Sequence, residues 1–246
     1  MSIRALNASP AAWIGALVGI ALLTPGAELL AQSGPSPYRL VDDWAKLPDG
    51  RRMGAVGKVT MDPDGDHLWA VIRCDALGFD VTPSRFGNEC VDSDLDPVIK
   101  FDLAGRVVES FGGGLFIWPH GIEMDPEGRI FVADRGNNRV QIFDQEGTHL
   151  ATWTQFGRPS GIAFDTNGQI FVADSESDNV QNPGWEMGIR IGDAETGWVT
   201  DFIVYQWGDP SVILGNGAEF VAVDRDGNIY GGEPVPRNLH KYVRVR

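Results

Sequence analysis

Gly121-Ile122-Glu123-Met124-Asp125-Pro126-Glu127-Gly128-Arg129-Ile130-Phe131-Val132-Ala133-Asp134 is a phrase this chain speaks more than once. Forty residues on it returns as Gly161-Ile162-Ala163-Phe164-Asp165-Thr166-Asn167-Gly168-Gln169-Ile170-Phe171-Val172-Ala173-Asp174. Looser copies run from Val59 to Arg73 and from Phe220 to Glu233. Within each copy, apolar and polar residues alternate over short runs, the period of a strand. A strand-and-turn unit repeated about every 40 residues predicts a β-propeller. A propeller gathers one loop from every blade at a single central mouth. Function is therefore to be sought at equivalent positions of the repeats.

Turns of the form Asp-x-x-Gly punctuate the strands: Asp62 to Gly65, Asp102 to Gly105, Asp125 to Gly128, Asp144 to Gly147, Asp165 to Gly168 and Asp224 to Gly227. Asp caps such a turn with its side chain, and Gly takes the positive φ. Asp193 to Gly197 is a looser version. Two turns make one four-stranded blade, so the blades are expected at 58–111, 119–156 and 159–204, with a fourth from 217. The fourth runs out at Arg246 after three strands. Tyr38 to Trp44 precedes the first blade without a partner there. Pairing it against His240 to Val245 would supply the missing strand and hide two open edges.

Residues 1–31 read as a secretory signal peptide. Arg4 is followed by an apolar run from Ala11 to Leu23, then Pro25, Gly26 and the small residue Ala31. The run is shorter than the roughly 20 residues of a membrane span. Residues 32–246 then form one exported domain, secreted or periplasmic, with no membrane attachment after cleavage. The net charge of −14 argues against nucleic acid and against anionic lipid. The two cysteines, Cys74 and Cys90, are expected to form a disulfide.

The repeats resemble NHL repeats through the phrase Val132 to Phe143, Val-Ala-Asp-Arg-Gly-Asn-Asn-Arg-Val-Gln-Ile-Phe. More narrowly, Phe111 to Ile122, Gln155 to Ile162, Asn182 to Trp185 and Gly188 to Gly192 are similar to exported bacterial NHL proteins of the peptidyl-α-hydroxyglycine α-amidating lyase type. The resemblance implies an all-β propeller of six blades, of which four are recognisable here. A closed four-blade ring, an open arc and pairing with another copy all remain open. It also implies metal-assisted cleavage of a peptidyl-α-hydroxyglycine to a peptide amide and glyoxylate. Zinc would be held by histidines from Pro-His motifs, calcium near the axis, with an arginine and a tyrosine in catalysis.

Carried over residue by residue, His120 in Trp118-Pro119-His120-Gly121 matches a zinc ligand. Arg73 matches the catalytic arginine, and Glu219 stands near the place of a calcium-binding aspartate. Ser160 and Ala218 stand where further zinc histidines are expected, and no repeat brings the tyrosine. One histidine is short of the three protein ligands of a catalytic zinc. His67, His149 and His240 read as solvated residues. Asp134, Asp174 and Glu233 end successive second strands, where acids either ring a cation or, the better reading, tie neighbouring loops. Trp69, Trp118, Trp153 and Trp198 read as packing between blades. Two functions follow: a lyase of the peptidylamidoglycolate type, with full or degraded activity, or a non-catalytic binding or scaffold propeller that holds a small molecule or peptide at its mouth.

Overall fold

The computed structural model describes residues 39–74, 89–205, 217–234 and 237–244. The expected signal peptide lies outside the described residues. The chain divides into two units, 1–42 and 43–246. Of the first, residues 39–42 are described and contain no strand. No described helix is long and apolar enough to cross a membrane.

The second unit is a four-blade β-propeller. Blade 1 holds β1 (Val56–Met61), β2 (His67–Ile72), β3 (Val98–Asp102) and β4 (Val107–Phe111). Blade 2 holds β5 (Pro119–Met124), β6 (Ile130–Asp134), β7 (Arg139–Phe143) and β8 (His149–Trp153). Blade 3 holds β9 (Pro159–Phe164), β10 (Gln169–Asp174), β11 (Gly188–Asp193) and β12 (Val199–Val204). Blade 4 holds β13 (Phe220–Val223), β14 (Ile229–Glu233) and β15 (Asn238–Tyr242). Each is an antiparallel meander in chain order.

The Asp-x-x-Gly turns form as the sequence predicts. Asp62, Asp102, Asp144, Asp165 and Asp224 each accept the backbone N–H two residues on, and Asp125 accepts that of Arg129. The closing glycines sit at φ between 75° and 84°. In an antiparallel meander all these turns fall at one end of the propeller. The longer second-to-third-strand loops therefore gather at the other end.

Apolar faces pack blade on blade. Trp69, Val71 and Val98 meet Ile122, Ile130 and Val132 between blades 1 and 2. Phe131, Ala133 and Val140 meet Ile162, Ile170 and Val172 between blades 2 and 3. Phe171, Ala173 and Ile189 meet Val221, Val223 and Ile229 between blades 3 and 4. Inner strands approach closely because glycine faces the next strand. A Cβ on Gly57 would lie 2.4 Å from the His120 carbonyl oxygen, one on Gly121 2.3 Å from that of Ser160, and one on Gly161 2.6 Å from that of Glu219.

The N-terminal strand expected to finish blade 4 is not formed there. Tyr38 and Val245 lie outside the described residues, and Asp42 and Asp43 form a turn. Trp44 belongs to blade 1. Its indole donates to the Leu103 carbonyl at 3.0 Å and its ring leans on Phe101, while Lys46 N–H donates to the Gly105 carbonyl. Ala70, Ile72, Ile99 and Phe101 offer an apolar face that Trp44, Ala45 and Leu47 cover. Half-burying the indole there removes apolar surface from water and gives its N–H a carbonyl partner. Blade 4 thus has three strands among the described residues.

Candidate functional site at the propeller mouth

Two positions of the repeat meet at the loop end. The first is the bulged start of the inner strand. His120 sits between the paired residues Pro119 and Gly121, and Ser160 stands at the same place in β9. Glu219 is the counterpart in blade 4: each precedes its turn aspartate, Asp125, Asp165 or Asp224, by five residues. This corrects the expectation that Ala218 fills that position. Ala218 is instead buried in the core between blades 3 and 4. The second position follows the second strand. Ile72, Asp134 and Asp174 pair alike with Val56, Pro119 and Pro159, so Arg73, Arg135 and Ser175 are equivalent.

Arg135 is the hub. It is 1% exposed. Its guanidinium donates to Glu176 at 3.1 Å, Ser160 at 2.6 Å, Ser175 at 3.3 Å and Glu219 at 3.2 Å. Its Nε has no hydrogen-bond partner among the described residues. Arg158 donates to the other oxygen of Glu176 at 3.0 Å and to the Arg135 carbonyl at 2.8 Å. Arg73 reaches Glu89 at 3.4 Å, and its buried Nε also has no partner among the described residues. All three guanidinium carbons gather about the Trp118 ring, at 5.0 Å (Arg73), 4.8 Å (Arg135) and 5.7 Å (Arg158) from its centroid. Cation–π attraction and the three glutamates Glu89, Glu176 and Glu219 balance the clustered charge.

His120 lies edge-on to Trp118 and 3.8 Å from the Glu219 carboxylate. Burial, then the charges of Arg135 and Arg73, push its pKa down to about 3. The imidazole is therefore neutral at ordinary pH, and no ion pair with Glu219 forms. Burial also draws Arg73 and Arg135 below the usual arginine value, but a guanidinium stays protonated in proteins.

The sequence brought Arg73, His120 and Glu219 forward, and the fold places all three around this mouth. It missed Arg135, Arg158 and Glu176. The signal for Arg135 was present: it follows its strand end as Arg73 follows Ile72. The donor set does not suit zinc or calcium. His120 and Glu219 are two donors, Glu219 is held by Arg135, and Ser160 stands at the third inner-strand position. No group of three metal-binding side chains occurs among the described residues. Two buried arginines that already disfavour a proton on His120 also disfavour a dication there.

The other acids tie loops. Asp134 accepts from Asn137, Arg139 and Gln141, and Asp174 from the Arg158 N–H, Ser177 and Arg190. His67 pairs with Asp64 and His149 with Thr152 near the surface. His240 departs from the expectation of a solvated residue, lying 3.3 Å from Glu233 in a half-buried setting. Trp69 and Trp153 pack between blades as expected, whereas Trp198 is 75% exposed. Below the mouth, Lys58 of β1 donates to Glu123 of β5 and to the Ile162 carbonyl of β9. This bridge ties the inner strands of blades 1, 2 and 3 together.

The family model of the NHL repeat matches residues 116–143 and 156–181, the inner parts of blades 2 and 3. In those two stretches the chain is similar to NHL repeats. Over 55 residues it is 44% identical to Protein lin-41 of Caenorhabditis elegans, a stretch covering 22% of this chain and 4% of that protein. Over 43 residues it is 46% identical to NHL repeat-containing protein 3 of Homo sapiens, 17% of this chain and 12% of that protein. The chain thus spans only a small part of these relatives' length. Its fold is similar to the WD40 β-propeller domain of Doa1, with a TM-score of 0.53 at 12% identity, over 78% of this chain and 52% of that one. That likeness is one of fold alone.

Proposed function

We propose that this NHL propeller is an exported binding module whose mouth recognises the carboxylate of a small molecule or peptide. The observation that carries the reading is Arg73. Its side chain is mostly buried beside a neutral imidazole, its bond to Glu89 is long, and its Nε has no partner among the described residues. A carboxylate approaching such a fork gains two charge-assisted hydrogen bonds. A separate cleft of about 660 Å³, lined by Asp92, Asp94, Asn137 and Arg139 among others, begins at Cys90 and Ile117, next in sequence to Glu89 and Trp118. Export rests on the leader-like first 31 residues and on the Cys74–Cys90 disulfide.

The lyase reading rests on the resemblance around Trp118-Pro119-His120-Gly121, and the same experiment separates the two. Isothermal titration is run with an N-acylated glycine peptide and its amide, and glyoxylate is assayed from a peptidyl-α-hydroxyglycine with and without added zinc. The acid is expected to bind, the amide is not, and Arg73→Gln abolishes binding with its thermal transition retained. Equal binding of acid and amide removes the carboxylate reading. Zinc-dependent glyoxylate release, lost in His120→Ala, would establish the lyase instead.

A further inference from the structure

The four blades do not present alike inner strands. β5 and β9 each begin with four buried residues. β1 and β13 do not: Val59 and Met61 are each 49% exposed, and Phe220 is 55% exposed. Apolar clusters join blades 1 and 2, 2 and 3, and 3 and 4; none joins blade 4 to blade 1 among the described residues. The sequence gives a reason. At the position where Gly121 and Gly161 let the next inner strand approach, blade 4 carries Phe220.

Register shows what each end offers. In blade 4, Phe220, Gly232 and Leu239 form one row across the sheet, with Ala222, Tyr230 and Lys241 beneath it. Leu239 is 76% exposed. In blade 1, Val59 lies in a row with Ala70 and Ile99, and Met61 in a row with Leu68 and Phe101. Trp44, Ala45 and Leu47 pack against the Ile99 and Phe101 part of that face, while Val59 and Met61 of the inner strand stay open.

We propose that a second copy of this chain fills the gap, each copy seating its Phe220 row on the other's Val59 and Met61. The two ends are different surfaces, so the contact is head-to-tail and closes as a pair about the channel axis. The repeat agrees with this: in blade 2 the equivalent row, Gly121, Ala133 and Val140, packs on Ile162 of blade 3, which is the counterpart of Val59. Apolar rows of this kind at both ends mark an interaction surface in place of scattered exposed residues.

Sedimentation velocity on the purified full chain tests this. The expected mass is twice the 26.8 kDa of one chain. Phe220→Asp and Val59→Asp each put a charge into the contact and weaken the pair by roughly a hundredfold or more. Mixing the two variants restores dimer, because one of the two contacts is then unaltered. Circular dichroism of each variant, with the parent's strand signal retained, shows that folding is not what was lost. A monomeric parent overturns the proposal. So does a pair that Phe220→Asp breaks and Val59→Asp leaves whole, since blade 4 would then face blade 4. A ladder of larger species overturns closure as a pair.

Discussion

Arg135 is held by four acceptors on three segments, so it acts as the keystone of the mouth. Arg135→Ala leaves Glu176 and Glu219 buried with part of their compensation gone. Breaking one side of a buried ion pair costs about 3–5 kcal/mol. Urea unfolding of the variant should show a loss of that size, and a loss below about 1 kcal/mol would make the cluster decorative. His120 gives a second test, through pH. The unfolded chain takes a proton on this imidazole near its ordinary value of 6.5, and the folded chain refuses it until about 3. Its contribution is therefore fully present above pH 6.5 and is lost as pH falls toward 3. Within that window this group alone changes stability by about 1.4 kcal/mol per pH unit. Buried Asp134 and Asp174, whose pKa values burial raises, act in the opposite sense. The difference between the parent and His120→Gln isolates the imidazole. That difference should shrink steadily from about pH 6.5 to about pH 4 and stay flat above.

At the scale of the element, glycine decides how near two inner strands come. Gly161→Ala would drive a Cβ to 2.6 Å from the Glu219 carbonyl oxygen, where backbone, not a flexible side chain, must yield. A loss of about 2–3 kcal/mol is expected, together with weaker ligand binding, because a shifted Glu219 backbone disturbs the contact of its side chain with Arg135. Gly168→Ala is the control. Its turn has open space around it but a φ of 80°, so only backbone strain is felt, about 1 kcal/mol, with binding unchanged. Chemical unfolding and titration of the pair check both statements. These elements were legible beforehand because Asp-x-x-Gly turns and alternation are local properties of the chain. Blade order followed from them. Partner choice did not. Trp44 sits in a run that reads as a strand, yet nothing near it in sequence says that Phe101 and Leu103 will capture its indole. Arg135 was hidden for a similar reason: in sequence it belongs to a repeat phrase, and only the fold carries it to Ser160, Glu176 and Glu219.

For the whole molecule, the one covalent crosslink bears on both stability and recognition. Cys74 and Cys90 are bonded, and both lie in the core between blades 1 and 2. Arg73 and Glu89 immediately precede them, so the crosslink fixes both ends of the loose ion pair that the proposed ligand would engage. The Cys90 N–H also donates to the Ile117 carbonyl, which ties the crosslinked loop to the approach of Trp118. Reduction should therefore do two separable things. It should lower stability by about 3 kcal/mol, the chain-entropy effect for a loop of this size. It should also weaken carboxylate binding in protein that is still folded, since Arg73 would no longer be held beside His120. Calorimetric melting and titration, each with and without a thiol reductant, read the two effects. A Cys74→Ser, Cys90→Ser double variant supplies the same comparison without reductant. Binding that survives in the folded, uncrosslinked protein would mean that packing against Trp118 alone positions Arg73, and that the disulfide serves stability only.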